Sequence, residues 1–310
     1  MKRIITALVM ICFVCPLFTA CGDVTKPDDK FKIVCTVFPV YDWVRNIIGE
    51  NDERFELNLL GNGKQDLHSF QPSARDIASI SECDMFIYLG TDAEMWVEKA
   101  LQNSRKTDIC AIRIIDLLDE EDVLGGHNHQ HGSEDVFDEH IWLSFEIVAK
   151  MSQKVSDELA TLDTENGEVY KKNSESYKKK LKELDEEYKA AVLESDDKTI
   201  IVADRFPLLH LCNNYGIKYY AAFHGCSADT EVSFETIVKL AEAADSLEKK
   251  TLLVTENSDT NIASSVIGNM ETKDVSTVVF DSCQSVADIE NSDYMEIMKN
   301  NLVSLKKALE

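Results

Sequence analysis

Short apolar runs alternate with longer stretches whose apolar positions recur every three or four residues, and that alternation fills both halves of the chain. Residues 32–37, 56–60, 84–90 and 112–115 read as strands; residues 40–48, 73–81 and 95–102 between them read as amphipathic helices. In the second half, strands are expected at 199–203, 217–222, 251–254 and 276–280. Helices are expected at 208–214, 234–246 and 262–270, with a last one from Tyr294 onward. The pattern breaks in the middle, where residues 145–194 are highly charged and almost free of strand signal. Tyr170, Tyr177, Leu181, Leu184 and Tyr188 recur there at intervals of seven, four, three and four, so a long helix would present one apolar stripe and a solvated charged face. Strand–helix alternation favours parallel sheets covered by helices. The predicted fold class is therefore α/β: two parallel-sheet lobes, residues 31–144 and 196–310, joined by a long rigid linking helix over 145–195. A ligand site belongs in the cleft between such lobes.

The first thirty residues follow a different rule. Lys2 and Arg3 precede an apolar stretch that ends in Leu17-Phe18-Thr19-Ala20-Cys21, too short for a membrane span and typical of a secretory signal over residues 1–20. Cys21 after Thr19 and Ala20 matches the position at which bacterial lipoproteins are cleaved and acylated. Residues 21–30 then form a polar tether, placing a lipid-anchored body on the outer face of the cytoplasmic membrane.

Charge narrows the partners. The chain carries a formal charge of −24, and loss of Lys2 and Arg3 with the signal makes the mature part more acidic still. Nucleic acid is excluded as a partner on that ground, because phosphate neutralisation requires a basic surface. The mature body has no Cys-x-x-Cys pair, which argues against a thiolate zinc knuckle. Cys35 and Cys110 lie in strand-like runs and read as buried thiols, while Cys212 with Cys226 is the pair to test for a disulfide.

The candidate chemistry is metal binding. His127, His129, His131 and His140 are four of the seven histidines and fall within fourteen residues, and imidazole is the commonest protein ligand of zinc-like ions. The first three sit among Gly, Asn and Ser in a loop that catches a metal without pre-organising it, whereas His140 is followed by Ile141-Trp142-Leu143 and is held by a packed element. His68 lies in a loop between a strand and a helix, at the carboxyl edge where open α/β sheets collect ligands. Asp204 and Asp281 directly follow strands of the second lobe. Each alone is more often a helix cap than a ligand; together they set two imidazoles on one lobe against two carboxylates on the other.

Asp66-Leu67-His68-Ser69-Phe70-Gln71-Pro72, Asp138-Glu139-His140-Ile141-Trp142-Leu143-Ser144, the helix with Tyr170 and Asn173, and Asp281 after a strand resemble the solute-binding lipoproteins of zinc and manganese ABC importers over essentially the whole mature chain. The resemblance implies two lobes bridged by a helix, His68 and His140 as ligands of the first lobe, and Asp281 as a ligand of the second. It also implies an ABC permease as partner and a monomeric, non-enzymatic carrier. The family places a third ligand, His or Glu, ten residues before a Tyr-Gly that is Tyr215-Gly216 here, and counting back lands on Arg205, which stays charged and binds no metal. Asp204 is the favoured substitute, with His210, His224 and Glu256 open. Alternatively, Arg205 pairs with a carboxylate and the protein supplies only three ligands.

The leading expectation is therefore capture of Zn2+, with Mn2+ second, and delivery to a permease. The zinc preference rests on the histidine-rich loop, because carboxylates favour harder ions. Two rivals are an extracellular metal-dependent hydrolase with a two-histidine, carboxylate site, although no His-Glu-x-x-His is present, and a metal-binding adhesin.

Overall fold

The computed structural model describes residues 30–63, 67–118, 138–223, 225–226 and 232–310. The signal peptide, Cys21 and nearly all of the tether lie outside the described residues, as do His127, His129, His131 and His224.

The first lobe runs β1 (Phe31–Cys35), α1 (Phe38–Ile48), β2 (Phe55–Leu59), α2 (Ala74–Glu82), β3 (Met85–Tyr88), α3 (Trp96–Gln102) and β4 (Cys110–Arg113). Its four strands are parallel in the order β2-β1-β3-β4. Ile33, Val34, Cys35, Met85, Phe86 and Ile87 are all buried, as central strands covered on both faces must be. Local signals fix the helix starts: Pro39 stands in the first turn of α1, and Ser73 with Asp76 forms a reciprocal capping box ahead of α2.

The charged middle region is two helices rather than the single one expected, α4 (Phe145–Leu162) and α5 (Gly167–Glu194). Asp163 ends the first. Its carboxylate accepts hydrogen bonds from Asn166 Nδ2 (2.9 Å), Tyr170 OH (2.5 Å) and Arg54 (2.8 Å), so its side chain organises the turn. Gly167 then rests against Ala160, where a Cβ would come within 3.0 Å of the alanine methyl, and the two helices pack as an antiparallel pair. The stripe from Tyr170 to Tyr188 lies wholly on α5 and is buried. That helix reaches both lobes: Asn173 donates to the Ile47 carbonyl in the first, Tyr188 OH to the Met298 carbonyl in the second.

The second lobe repeats the first with β5 (Thr199–Val202), α6 (Leu209–Tyr215), β6 (Lys218–Ala221), α7 (Phe234–Ser246), β7 (Thr251–Thr255), α8 (Asn261–Asn269), β8 (Ser276–Phe280) and α9 (Tyr294–Leu309). Its sheet is again parallel, in the order β6-β5-β7-β8. No helix among the described residues is long and apolar enough to cross a membrane.

The segment between β8 and α9 lies in the seam between the lobes, bonded to the second through Ser282 on Glu256 and reaching the first as well. Trp142 Nε1 donates to the Ser282 carbonyl (2.6 Å), Val286 N to the Gly63 carbonyl (2.8 Å), and Tyr294 OH to the Trp142 carbonyl (2.6 Å). Arg45 on α1 donates to the carbonyls of Ile289, Glu290 and Ser292 and pairs with Asp42, a fully buried carboxylate that also accepts from Asn46 and the Tyr294 amide. Burial pushes the Asp42 carboxyl up to about 6 against the opposing pull of Arg45. Arg45→Ala should therefore leave a buried carboxylate uncompensated and unpin the segment, lowering unfolding free energy by roughly 3 kcal/mol. Adding Asp42→Asn should restore part of the loss in urea melts.

Candidate metal centre

The loops at the carboxyl ends of the two sheets converge, and there the structure gathers His68, His140 and Cys226. One donor atom from each lies within 4.8 Å of the others. His68 arrives on the short turn Leu67–Ser69 after β2, and His140 on the approach to the Ile141–Leu143 turn, whose three side chains are fully buried and fix the backbone. Cys226 follows β6, and its loop is tied to the segment after β5 by Phe206 N donating to the Gly225 carbonyl (3.0 Å). The site thus takes two imidazoles from one lobe and a thiol from the other.

His140 Nδ1 is hydrogen-bonded to Asp138 Oδ1 (2.6 Å), and His68 Nδ1 stands 3.1 Å from Glu139 Oε2, close enough for its charge to act on the ring. A carboxylate bonded as Asp138 is fixes ring orientation and raises the basicity of the opposite nitrogen. Asp138 also accepts the Leu209 amide at the start of α6 (3.1 Å), and its own carbonyl lies 2.9 Å from His210 Nε2. The residue that aims His140 is therefore keyed into the second lobe.

Electrostatics ease ionisation of the Cys226 thiol. Burial alone would raise the Cys226 thiol, but hydrogen bonds from His140 and then His68, with their charges, hold it below its ordinary range. His68 is correspondingly raised, first by its hydrogen bond with Cys226, and the Asp138 charge lifts buried His140 well above the usual imidazole value despite the opposing effect of burial. The three groups form a proton-sharing cluster, and a divalent cation would displace those protons.

The other expected donors lie elsewhere. Asp204 Oδ2 accepts both the amide and hydroxyl of Thr255 (3.0 and 2.8 Å) and Oδ1 accepts the Arg205 amide, so this carboxylate staples β5 to β7 instead of joining the cluster. Glu256 is occupied by the amide and hydroxyl of Ser282 (2.7 and 2.5 Å). Asp281 is not in the gathered set; its Oδ1 accepts the Cys283 amide (2.8 Å), and burial with the nearby Glu256 charge raises it to about 6. The disulfide expectation fails as well, since Cys212 and Cys226 are both free thiols. Cys226, which the sequence pattern singled out only as a disulfide candidate, joins the cluster instead. It lies five residues past the end of β6, two beyond His224, farther from its strand than Asp204 and Asp281 are from theirs.

Glu94 is buried near Glu139, with Oε2 accepting the Gly90 amide (2.6 Å). Burial raises its carboxyl from 4.5 to about 7. The folded state then binds this proton more tightly than the unfolded state, so stability falls as pH rises from about 4.5 to about 7. Glu94→Gln should stabilise the protein by on the order of 2 kcal/mol at pH 8 and by little at pH 4.5, measured by denaturant midpoints. An equal gain at both pH values would assign the effect to packing.

The profile described as zinc-uptake complex component A, periplasmic (ZnuA), matches residues 33–308. Among curated relatives, the zinc-binding lipoprotein AdcA of Streptococcus pneumoniae is 29% identical, with alignment over 99% of this chain and 61% of AdcA. The high-affinity zinc uptake system protein ZnuA of Bacillus subtilis is 27% identical over 99% of this chain and 96% of its own. This chain thus spans about three-fifths of the length of AdcA. Among solved structures, Zn(II)-bound AdcA of S. pneumoniae aligns with a TM-score of 0.71 at 26% identity, over 90% of this chain and 57% of that one. The metal-dependent lipoprotein YcdH of B. subtilis aligns at 0.73 and 24% identity, over 91% and 100%, and shows the shared two-lobe fold.

Proposed function

From the premise that this chain belongs to the zinc-uptake component A family of periplasmic metal-binding proteins, we propose that it captures Zn2+ outside the cytoplasmic membrane and hands it to an ABC permease. The observation that carries this reading is the convergence of His68, His140 and Cys226 from two lobes onto one point. The relatives named as zinc-binding lipoproteins and zinc uptake proteins support the cargo, and the lipid position at Cys21 supports an anchored carrier.

His68 and His140 offer imidazole nitrogens, the first beside the Glu139 charge and the second held aimed by Asp138, and Cys226 contributes a thiolate. A thiolate is a softer donor than the carboxylate expected from sequence, and a two-imidazole, one-thiolate set prefers zinc to manganese. Neighbouring ligand atoms around a tetrahedral zinc stand about 3.4–3.7 Å apart. Drawing in the gathered donors, spread over as much as 4.8 Å, would contract the site and tie the lobes together. Release then follows when the permease parts Cys226 from the two histidines. No bond of the cargo is made or broken by the protein beyond ligation, so no catalytic step is required. The histidine-rich stretch His127 to His131 precedes His140 in the chain and serves as an auxiliary catcher rather than the principal site.

Protein lacking residues 1–30 should bind one tight equivalent of zinc in competition titrations, with manganese competing weakly. His68→Ala or Cys226→Ser should weaken binding by about a hundredfold or more, whereas deletion of 127–131 should keep the tight equivalent. Full affinity in Cys226→Ser would place the third donor elsewhere, and binding lost only with the loop would remove the cleft as the capture site.

A further inference from the structure

We propose that Gln284 closes the metal site, its side-chain carbonyl supplying the fourth ligand that the sequence pattern gave to Asp281. This rests on His68, His140 and Cys226 being the other three donors. Gln284 Oε1 lies 3.4 Å from His140 Nε2 and 3.4 Å from Cys226 Sγ. Those are the separations of ligands sharing one ion: two nitrogen or oxygen donors at about 2.0–2.1 Å from a tetrahedral zinc are about 3.4 Å apart, and an oxygen and a thiolate about 3.6 Å. The chemistry agrees. The carbonyl oxygen stands between imidazole Nε2 and the Cys226 sulfur as their shared hydrogen-bond acceptor, and a cation held by those two donors meets the same oxygen lone pairs.

The amide is built into place. Two residues to either side, the backbone is pinned to the first lobe, by Trp142 Nε1 on the Ser282 carbonyl and by Val286 N on the Gly63 carbonyl. Gln284 is 7% exposed and lines a small cavity with Leu60, Leu67 and Phe70. Its Nε2 is buried there without a hydrogen-bond partner among the described residues. Burying an unpartnered amide donor costs about 1–3 kcal/mol, a cost that leucine or methionine of similar size would avoid. Retaining the amide makes sense if its oxygen has a ligand to hold. Asp281, by contrast, turns its carboxylate to the Cys283 amide beside Glu256.

The flanking backbone is held from both sides, since Ser282 also bonds Glu256 and Ser285 accepts from Asn257 in the second lobe, which places Gln284 on the seam where His140 and Cys226 meet.

The test is zinc competition titration of full-length protein, with Co2+ as a spectroscopic probe, on wild type, Gln284→Leu, Gln284→Glu and Asp281→Asn. Gln284→Leu should weaken zinc about ten- to hundredfold and alter the ligand-field bands of bound Co2+ while preserving the thiolate charge-transfer band from Cys226. Gln284→Glu, which keeps an oxygen donor, should bind at least as tightly as wild type, and Asp281→Asn should match wild type in affinity and spectrum. Wild-type affinity and spectrum in Gln284→Leu, or loss of the tight equivalent in Asp281→Asn, would overturn the assignment. A wild type with no tight equivalent, or with Co2+ bound but no thiolate band, would instead fail the three-donor site itself and carry this assignment down with it. Thermal unfolding of the metal-free variants separates misfolding from ligand loss, and Gln284→Glu provides the folded comparator if Gln284→Leu melts early.

Discussion

A metal site shared by two lobes works only if the lobes are held in register to within a bond length, and here that register depends on the segment between β8 and α9 lying in the seam between them. Its anchors are polar and mostly buried: Arg45 gathers three carbonyls, Trp142 and Tyr294 bond across the junction, and Val286 reaches Gly63. Buried polar contacts are costly when half satisfied and specific when complete. Asp42 shows the balance, a fully buried carboxylate kept in place by a cation, an amide and a side-chain amide. Helix α5 supplies the apolar counterpart, with its tyrosine and leucine stripe buried from Tyr170 to Tyr188.

Around that frame the donors are arranged by division of labour. Asp138 orients the His140 imidazole while the Glu139 charge acts on that of His68, and the same Asp138 caps α6 of the other lobe, so the aim of His140 and the position of the second lobe are not independent. Charge is handled locally. The imidazoles stabilise the thiolate, while the carboxylates expected as ligands are satisfied by amides and hydroxyls nearby. On the proposed assignment, the loop after β6 supplies a sulfur donor in place of the His or Glu that the family resemblance puts at Arg205.

That change alters the cargo argument. From the histidines and carboxylates alone, zinc and manganese are nearly balanced, and only the histidine-rich loop tips the choice. A thiolate within the cluster makes the preference a property of the cleft. The function proposed for the chain therefore keeps its class while its physical basis shifts from a loop to a sulfur atom.

The amino-acid sequence by itself determined the two α/β lobes, the buried stripe of the linking region and the two histidines at the first sheet's edge. These follow from periodicity and from strand-end position, which are local properties. The break at Asp163 escaped it, because the turn depends on one carboxylate collecting Arg54, Asn166 and Tyr170 from three places. Cys226 and Gln284 escaped it for a related reason. Asp204, Glu256, Asp281, His224 and Cys226 all follow strands of the second sheet, so strand-end position could not rank them. Only tertiary structure decides which strand-end side chain is consumed by a neighbouring amide and which is left facing the opposite lobe, because that choice is made by hydrogen bonds between residues far apart in the chain.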